Sequence, residues 1–136
     1  MGKEDCNSLM NEGYTFAQLM LQNHAEFHPF AVTLRKDGSF THVGATDGRE
    51  HPPGVDVLAL LQRGLRAQSA ANEINAFGLF SNVVVGPDRR DAIRAELEHR
   101  DGYSVSVFLP YTLTEDGPTY GELFAMAREA STFPVG

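Results

Sequence analysis

Ala92-Ile93-Arg94-Ala95-Glu96-Leu97-Glu98-His99-Arg100-Asp101-Gly102-Tyr103-Ser104-Val105-Ser106-Val107-Phe108-Leu109 is the stretch that decides the fold class. Both arms alternate apolar and polar residues with the period of a β-strand, and Arg100-Asp101-Gly102 between them has the chemistry of a turn. Two registers compete. A two-residue Asp-Gly loop sets Glu96 against Val107 and Glu98 against Val105. A three-residue loop sets Leu97 against Val105, Ala95 against Val107 and Ile93 against Leu109, which makes one face wholly apolar. A slip of one residue turns every side chain of an arm over, so burial selects the second register. Gly102 then takes the left-handed position of a type I turn plus bulge. The other face carries Arg94, Glu96, Glu98, Ser104 and Ser106, with Phe108 as the exception. This predicts an antiparallel sheet covered on one side only.

Working outward, Pro110 is expected to end this hairpin. Upstream, Phe77–Val85 is almost continuously apolar, the pattern of a central strand buried on both faces or covered by another chain. Phe30–Arg35 alternates and is joined by Lys36-Asp37-Gly38 to a strand near Ser39–Ala45. A three-residue loop there sets Leu34 against Phe40 and Val32 against His42; a two-residue loop sets Val32 against Val43 and turns His42 outward. The residues leave both open.

Three helices complete the reading. The first runs from about Cys6 to Phe27, with Leu9, Phe16, Met20 and Phe27 in one stripe that Gly13 and His24 fill, and Pro29 as the stop. The second runs from about Val55 to Asn75, with Val57, Leu58, Leu61 and Leu65 in one stripe and Leu60, Ala67, Ala71 and Ile74 in another. The third is short: Thr119-Tyr120-Gly121-Glu122 fits a capping box, ahead of Leu123, Phe124 and Ala127. The expected architecture is a single α+β domain over residues 1–136, with five antiparallel strands, the order α-β-β-α-β-β-β-α, and a frayed tail at 130–136. That order resembles the roadblock and longin group within the profilin-like architecture. The resemblance covers nearly the whole chain as element order and transfers no functional residue. It implies a dimerising scaffold or docking platform, and it also points to small bacterial proteins.

Composition bounds the function. The 136 residues include 42% hydrophobic and 21% charged side chains, which suits a packed core and argues against disorder. The net charge of −7 disfavours nucleic-acid partners, whose affinity rests on basic patches. The adjacent basic pairs, Arg35-Lys36 and Arg89-Arg90, fall at predicted turns; Asp88-Arg89-Arg90-Asp91 reads as self-neutralising charge. Cys6 is the sole cysteine, so no intramolecular disulfide forms, which suits a reducing compartment. No apolar run reaches membrane-spanning length and no signal-peptide pattern opens the chain, so a cytoplasmic protein without a membrane partner is expected. Position 6 of the Met1-Gly2 start is Cys, which removes a myristoylation signal.

Candidate chemistry is sparse. His24 and His28 stand four apart and could bind zinc together with His42 or His51, but the sequence lacks the metalloprotease pattern and a cysteine cluster. Asp47, Glu50, His51 and Asp56 make a carboxylate–imidazole neighbourhood in a Gly/Pro-rich loop. No phosphate-binding fingerprint or nucleophile motif is present. Phe30, Phe40, Phe77, Phe80, Tyr103, Phe108 and Tyr111 read as core. No cofactor, metal or catalytic residue is therefore assigned. The leading expectation is a protein-interaction module that binds another protein or itself as a homodimer, and an enzyme is the weaker reading. The alternatives are a small-ligand or enzymatic domain with a pocket near His28, His42 and His51, and an immunity-type protein whose acidic surface neutralises a basic partner.

Overall fold

The computed structural model describes residues 2–44 and 54–128. The elements are α1 (Gly2–His24), β1 (Phe30–Arg35), β2 (Phe40–Val43), α2 (Gly54–Ala70), β3 (Ile74–Val85), β4 (Arg90–His99), β5 (Ser104–Thr114), β6 (Gly117–Tyr120) and β7 (Phe124–Ala127). The fold is α+β with an antiparallel sheet. Its strands run β2-β1-β3-β4-β5-β6, with β7 also paired to β5. No helix among the described residues is long and apolar enough to cross a membrane.

The decisive hairpin has the three-residue register. Ile93 faces Leu109, Ala95 faces Val107 and Leu97 faces Val105. Gly102 turns with φ of 101°, and its N–H donates to the His99 carbonyl at 3.0 Å. The first hairpin takes the same solution, pairing Leu34 with Phe40 and Val32 with His42. β3 is the central strand, bonded to β1 and β4, and its first half is buried on both faces.

Each helix covers a different face. α1 lies on the face of Phe30, Val32, Phe80, Ala95 and Leu97, where Cys6, Leu9, Tyr14, Ala17 and Leu21 join the core. α2 lies on the other face, with Val57, Leu61 and Leu65 against Ala31, Phe77 and Leu79. The expectation of a sheet covered on one side only is thus corrected. α2 shields the β1–β3 half of the second face, and the polar side of β4 is the continuation of that same face.

The Phe80 ring organises the α1 side. It stacks on Phe30 at 5.0 Å between centroids and meets Tyr14 edge-on at 5.8 Å. Two glycines make room for it. A Cβ on Gly13 would fall 1.9 Å from Phe80 Cζ, and one on Gly78 would fall 2.8 Å from Phe80 Cε1. This corrects the predicted helix stripe. The face that meets the sheet is Cys6, Leu9, Gly13, Ala17 and Leu21, whereas Phe16 is pushed to the flank against Phe30 and His42. Small residues let the helix axis approach the sheet, and bulk is displaced to the sides.

Boundaries also move. α2 ends at Ala70 rather than near Asn75, because Asn72 takes φ of 61° and the Glu73 N–H closes back on the Gln68 carbonyl at 3.0 Å. Ile74, placed by sequence in the helix's second stripe, is instead the buried first residue of β3.

The largest correction lies after Leu109. Among the described residues the sheet has seven strands, not five, and β6 and β7 stand where a third helix was expected. β5 runs straight through Pro110. The Pro110 carbonyl accepts from Gly121 N at 2.8 Å, on the side away from β4, so the missing proline N–H falls at the break between β6 and β7. Thr119, the expected helix cap, instead donates its hydroxyl to the Thr112 carbonyl across the ladder at 3.4 Å. Tyr120 pairs with Tyr111, and Phe124 stacks on Phe108 at 5.0 Å. A helix of two turns is marginal by itself, and these cross-strand aromatic pairs outweigh its capping box.

Gly13→Ala weighs helix propensity against packing. The substitution gains about 1 kcal/mol of propensity but forces the ring from its seat, an overpacking cost of about 3 kcal/mol or more. Net destabilisation is expected in urea denaturation, with part of the loss recovered in the double variant Gly13→Ala, Phe80→Leu. Equal stability of Gly13→Ala and wild type would contradict the close approach.

Candidate functional site

The histidines do not build a site among the described residues. His42 lies on β2, stacked over Phe30, with Nε2 3.0 Å from Glu12 Oε1, so it ties β2 to α1. His24 and His28 are exposed at the end of α1 and in the segment that follows. Asp47, Glu50 and His51 lie outside the described residues, as does the tail from 130. Asp56 sits half-buried in the first turn of α2. No group of three or more metal-binding side chains occurs among the described residues. A cleft of about 180 Å³ opens between α2 and the end of β2, lined by Val43, Gly44, Leu60, Leu61, Gly64, Leu65 and Gln68. No histidine lines it, and its wall is mainly apolar. Asp88 and Arg89 are exposed in the β3–β4 turn as expected, whereas Arg90 and Asp91, also exposed, are the first residues of β4, paired with Val85 and Val84.

Two polar clusters escaped the sequence reading because their members are far apart in the chain. At the hairpin tip, His99 Nε2 lies 2.9 Å from Asp5 Oδ2 and His99 Nδ1 lies 3.2 Å from Asp101 Oδ1. The Asp101 carboxylate accepts from the Tyr103 N–H, which with the neighbouring His99 and Gly2 N–H holds its pKa below the usual range. Asp101 therefore serves the otherwise unpaired first turn of α1. Beside it, Cys6 is fully buried, and desolvation, reinforced by Asp101, Asp5 and Glu98, pushes its thiol up to about 12. A thiol held protonated is a poor nucleophile, so this cluster fastens α1 to the hairpin.

The second cluster crosses the other face. The fully buried Glu98 accepts from Arg128 Nη1 at 2.7 Å, and the same nitrogen donates to Ser104 Oγ at 2.8 Å. The Arg128 guanidinium also lies 5.9 Å over the Phe77 ring. The polar stripe of β4 is therefore roofed by the residue that follows β7. This ion pair fixes the end of β7 to the sheet.

β7 itself stands out. It is bonded to β5 alone among the described residues, and all four of its residues are exposed. Phe124 is 41% exposed and Met126 58%, on the face of Phe108 and Ser106; Leu123, just before the strand, is 50% exposed. Of the ten large hydrophobic residues exposed among the described residues, five lie between positions 113 and 126. Edge strands ordinarily carry charge, proline or a bulge that discourages pairing. The run Leu123–Ala127 carries none of these, although the chain as a whole is strongly acidic. A sequence signal existed: a five-residue apolar run between Glu122 and Arg128. Helical spacing fits the same run, so periodicity alone does not separate strand from amphipathic helix there.

No family model, curated protein or solved structure matches this chain.

The buried thiol and tyrosines predict alkaline sensitivity. Cys6 moves from 9.0 to about 12 and Tyr111 from 10.0 to about 12, and burial also raises Tyr14. The folded state keeps protons that the unfolded chain releases, so this stabilisation is whole below about pH 9 and is lost progressively as pH rises from there toward 12. Urea denaturation from about pH 8 to about pH 11 should give falling stability, with a shallower fall for Cys6→Ala. In the folded protein at neutral pH, Cys6 should react with a thiol reagent only as fast as the structure opens.

Proposed function

We propose that this chain is a protein-interaction module that makes contact through the β7 edge of its sheet. The observation that carries this reading is an apolar, uncharged edge strand, exposed at every position and held to the sheet by β5 and by the Arg128–Glu98 pair. An exposed edge of this kind offers a row of backbone N–H and C=O groups, which give affinity to an added strand, while flanking side chains select it. Phe124, Met126 and Leu123 are the selecting side chains, with Phe108 behind them. The stacked Phe108–Phe124 pair keeps the aromatic surface ordered before contact, which lowers the entropy cost of binding.

The reading favours a binding partner over a buried substrate. The α2–β2 cleft is smaller than most small-molecule sites; of the histidines expected at a pocket, His28 is exposed and His42 is occupied in holding β2, while His51 lies outside the described residues.

Capture tests the reading. The wild type, an edge variant carrying both Phe124→Lys and Met126→Lys, and a control Leu19→Lys on the exposed side of α1 would be immobilised. Each would be challenged with extract of the native host supplemented with a tagged copy of the chain. Wild type and Leu19→Lys should retain the same proteins, and the edge variant should lose them while keeping its circular dichroism spectrum. Identical capture by all three, or none by any, would overturn the assignment.

A further inference from the structure

We infer that the α2 face of the sheet carries a binding site for a free α-amino acid with an apolar side chain, held by Arg94, Ser81 and Glu96 against the Phe108–Phe124 pair. The site goes beyond the β7 edge as a contact surface, because it uses the face of the sheet. That face is laid out in cross-strand rows. Ser81, Arg94, Phe108 and Phe124 are successive partners on β3, β4, β5 and β7, and Glu96 and Met126 stand in the next row. α2 packs on the same face at Phe77 and Leu79, and Phe124 and Met126 are exposed at the other end of the rows. The polar residues lie between.

Opposite charges two residues apart on a strand are ordinary surface chemistry. Three observations set this pair apart. Ser81 is 2% exposed, and its buried hydroxyl has no hydrogen-bond partner among the described residues. The Nε of Arg94, directly across the ladder, is likewise buried and unpartnered. Glu96 stands 3.9 Å from both Arg94 and Arg128, beyond hydrogen-bond length, although its side chain is only 18% exposed. Arg128 is drawn away to Glu98 and Ser104, at 2.7 and 2.8 Å. Buried polar groups are nearly always paired, because an unpaired one bears its desolvation cost without return. One row therefore lacks an acceptor, and the next holds a carboxylate short of a donor.

A zwitterion supplies both. Its carboxylate accepts from the Arg94 fork and the Ser81 hydroxyl, and its ammonium donates to Glu96. Arg94 and Glu96 cancel in charge, so a net-neutral ligand fits where a simple anion meets repulsion from Glu96 and a simple cation meets repulsion from Arg94. The ligand's side chain then lies on the stacked Phe108 and Phe124 rings and Met126, covering apolar surface that is now exposed. The Arg94 side chain is 30% exposed and turns outward to admit the carboxylate. That movement breaks no hydrogen bond of Nε or of Ser81, and its contact with Glu96 is already 3.9 Å long.

Titration of the full chain with L-phenylalanine, followed by amide resonances, tests the site. The amides of Ser81, Arg94, Glu96 and Phe108 should shift together and saturate. N-acetyl-L-phenylalanine, which lacks the ammonium, and L-phenylalaninamide, which lacks the carboxylate, should each bind about tenfold more weakly or worse, the loss of one charge-assisted hydrogen bond. Glu96→Gln should weaken L-phenylalanine about tenfold and Ser81→Ala about fivefold. Ser81→Ala removes a hydroxyl that the fold leaves unpaired, so its stability in urea should equal or exceed that of wild type. Four outcomes would overturn the inference: no shift at these amides up to about 20 mM ligand, equal binding of either derivative, binding indifferent to both substitutions, or a Ser81→Ala chain less stable than wild type. Neither substitution alters a residue of β7, so the result is independent of the capture experiment.

Discussion

The seating of Phe80 between Gly13 of α1 and Gly78 of its own strand is the contact on which the remaining structure depends. The ring sits at the centre of β3, is flanked by Phe30 and Tyr14, and has no exposed surface. With the helix this close, Tyr14 can donate its hydroxyl to the Val107 carbonyl of β5 at 2.8 Å. Interiors of this density tolerate little added volume. One glycine in a helix therefore sets the distance between helix and sheet, and through Tyr14 the position of the strand that carries β7.

From that core the chain spreads toward its acidic, hydrogen-bonded periphery. Asp101 and His99 fasten the start of α1 to the hairpin tip, and Arg100 donates to the Ile74 carbonyl at 2.9 Å, tying the same tip to the start of β3. At the far side Arg128 reaches back over β5 to Glu98. A buried pair of this kind contributes little net stability, but loss of one partner is costly, which makes it a constraint on where β7 lies. The result is a β7 edge bonded to β5 on one side and, among the described residues, to no strand on the other. A mobile edge would lose much of its binding energy to ordering; a fixed one does not.

Both hairpins were legible because alternation is a local signal, and the register of the second because a one-residue slip reverses burial; the first hairpin admitted two registers, since neither loop length buried its side chains decisively better. The core half of Phe77–Val85 was legible for a different reason: an almost continuous apolar run marks a strand buried on both faces. What periodicity obscured was how closely elements approach. A stripe drawn through the bulkiest residues selected Phe16, while the helix presents Gly13 and Ala17 to the sheet. The C-terminal segment shows a second limit. Thr119–Ala127 satisfies helical capping and spacing, and only the aromatic partners waiting on β5, Phe108 and Tyr111, decide for strands. The sign was Phe108 itself, the one apolar residue on a polar face. The expected element order accordingly agrees with the observed one through β5 and fails at the closing helix. The site clusters were illegible for a plainer reason: Asp5 meets His99, and Glu98 meets Arg128, across separations that no local pattern spans.

Nuclear magnetic resonance of the folded chain reaches the central contact directly. The Gly13 Hα protons should resonate well upfield of ordinary helical glycine, shifted by the Phe80 ring current, and should give strong nuclear Overhauser effects to the Phe80 ring protons. Unshifted Gly13 resonances without those cross-peaks would mean that α1 stands away from β3, and the packing that positions every other element would be wrong.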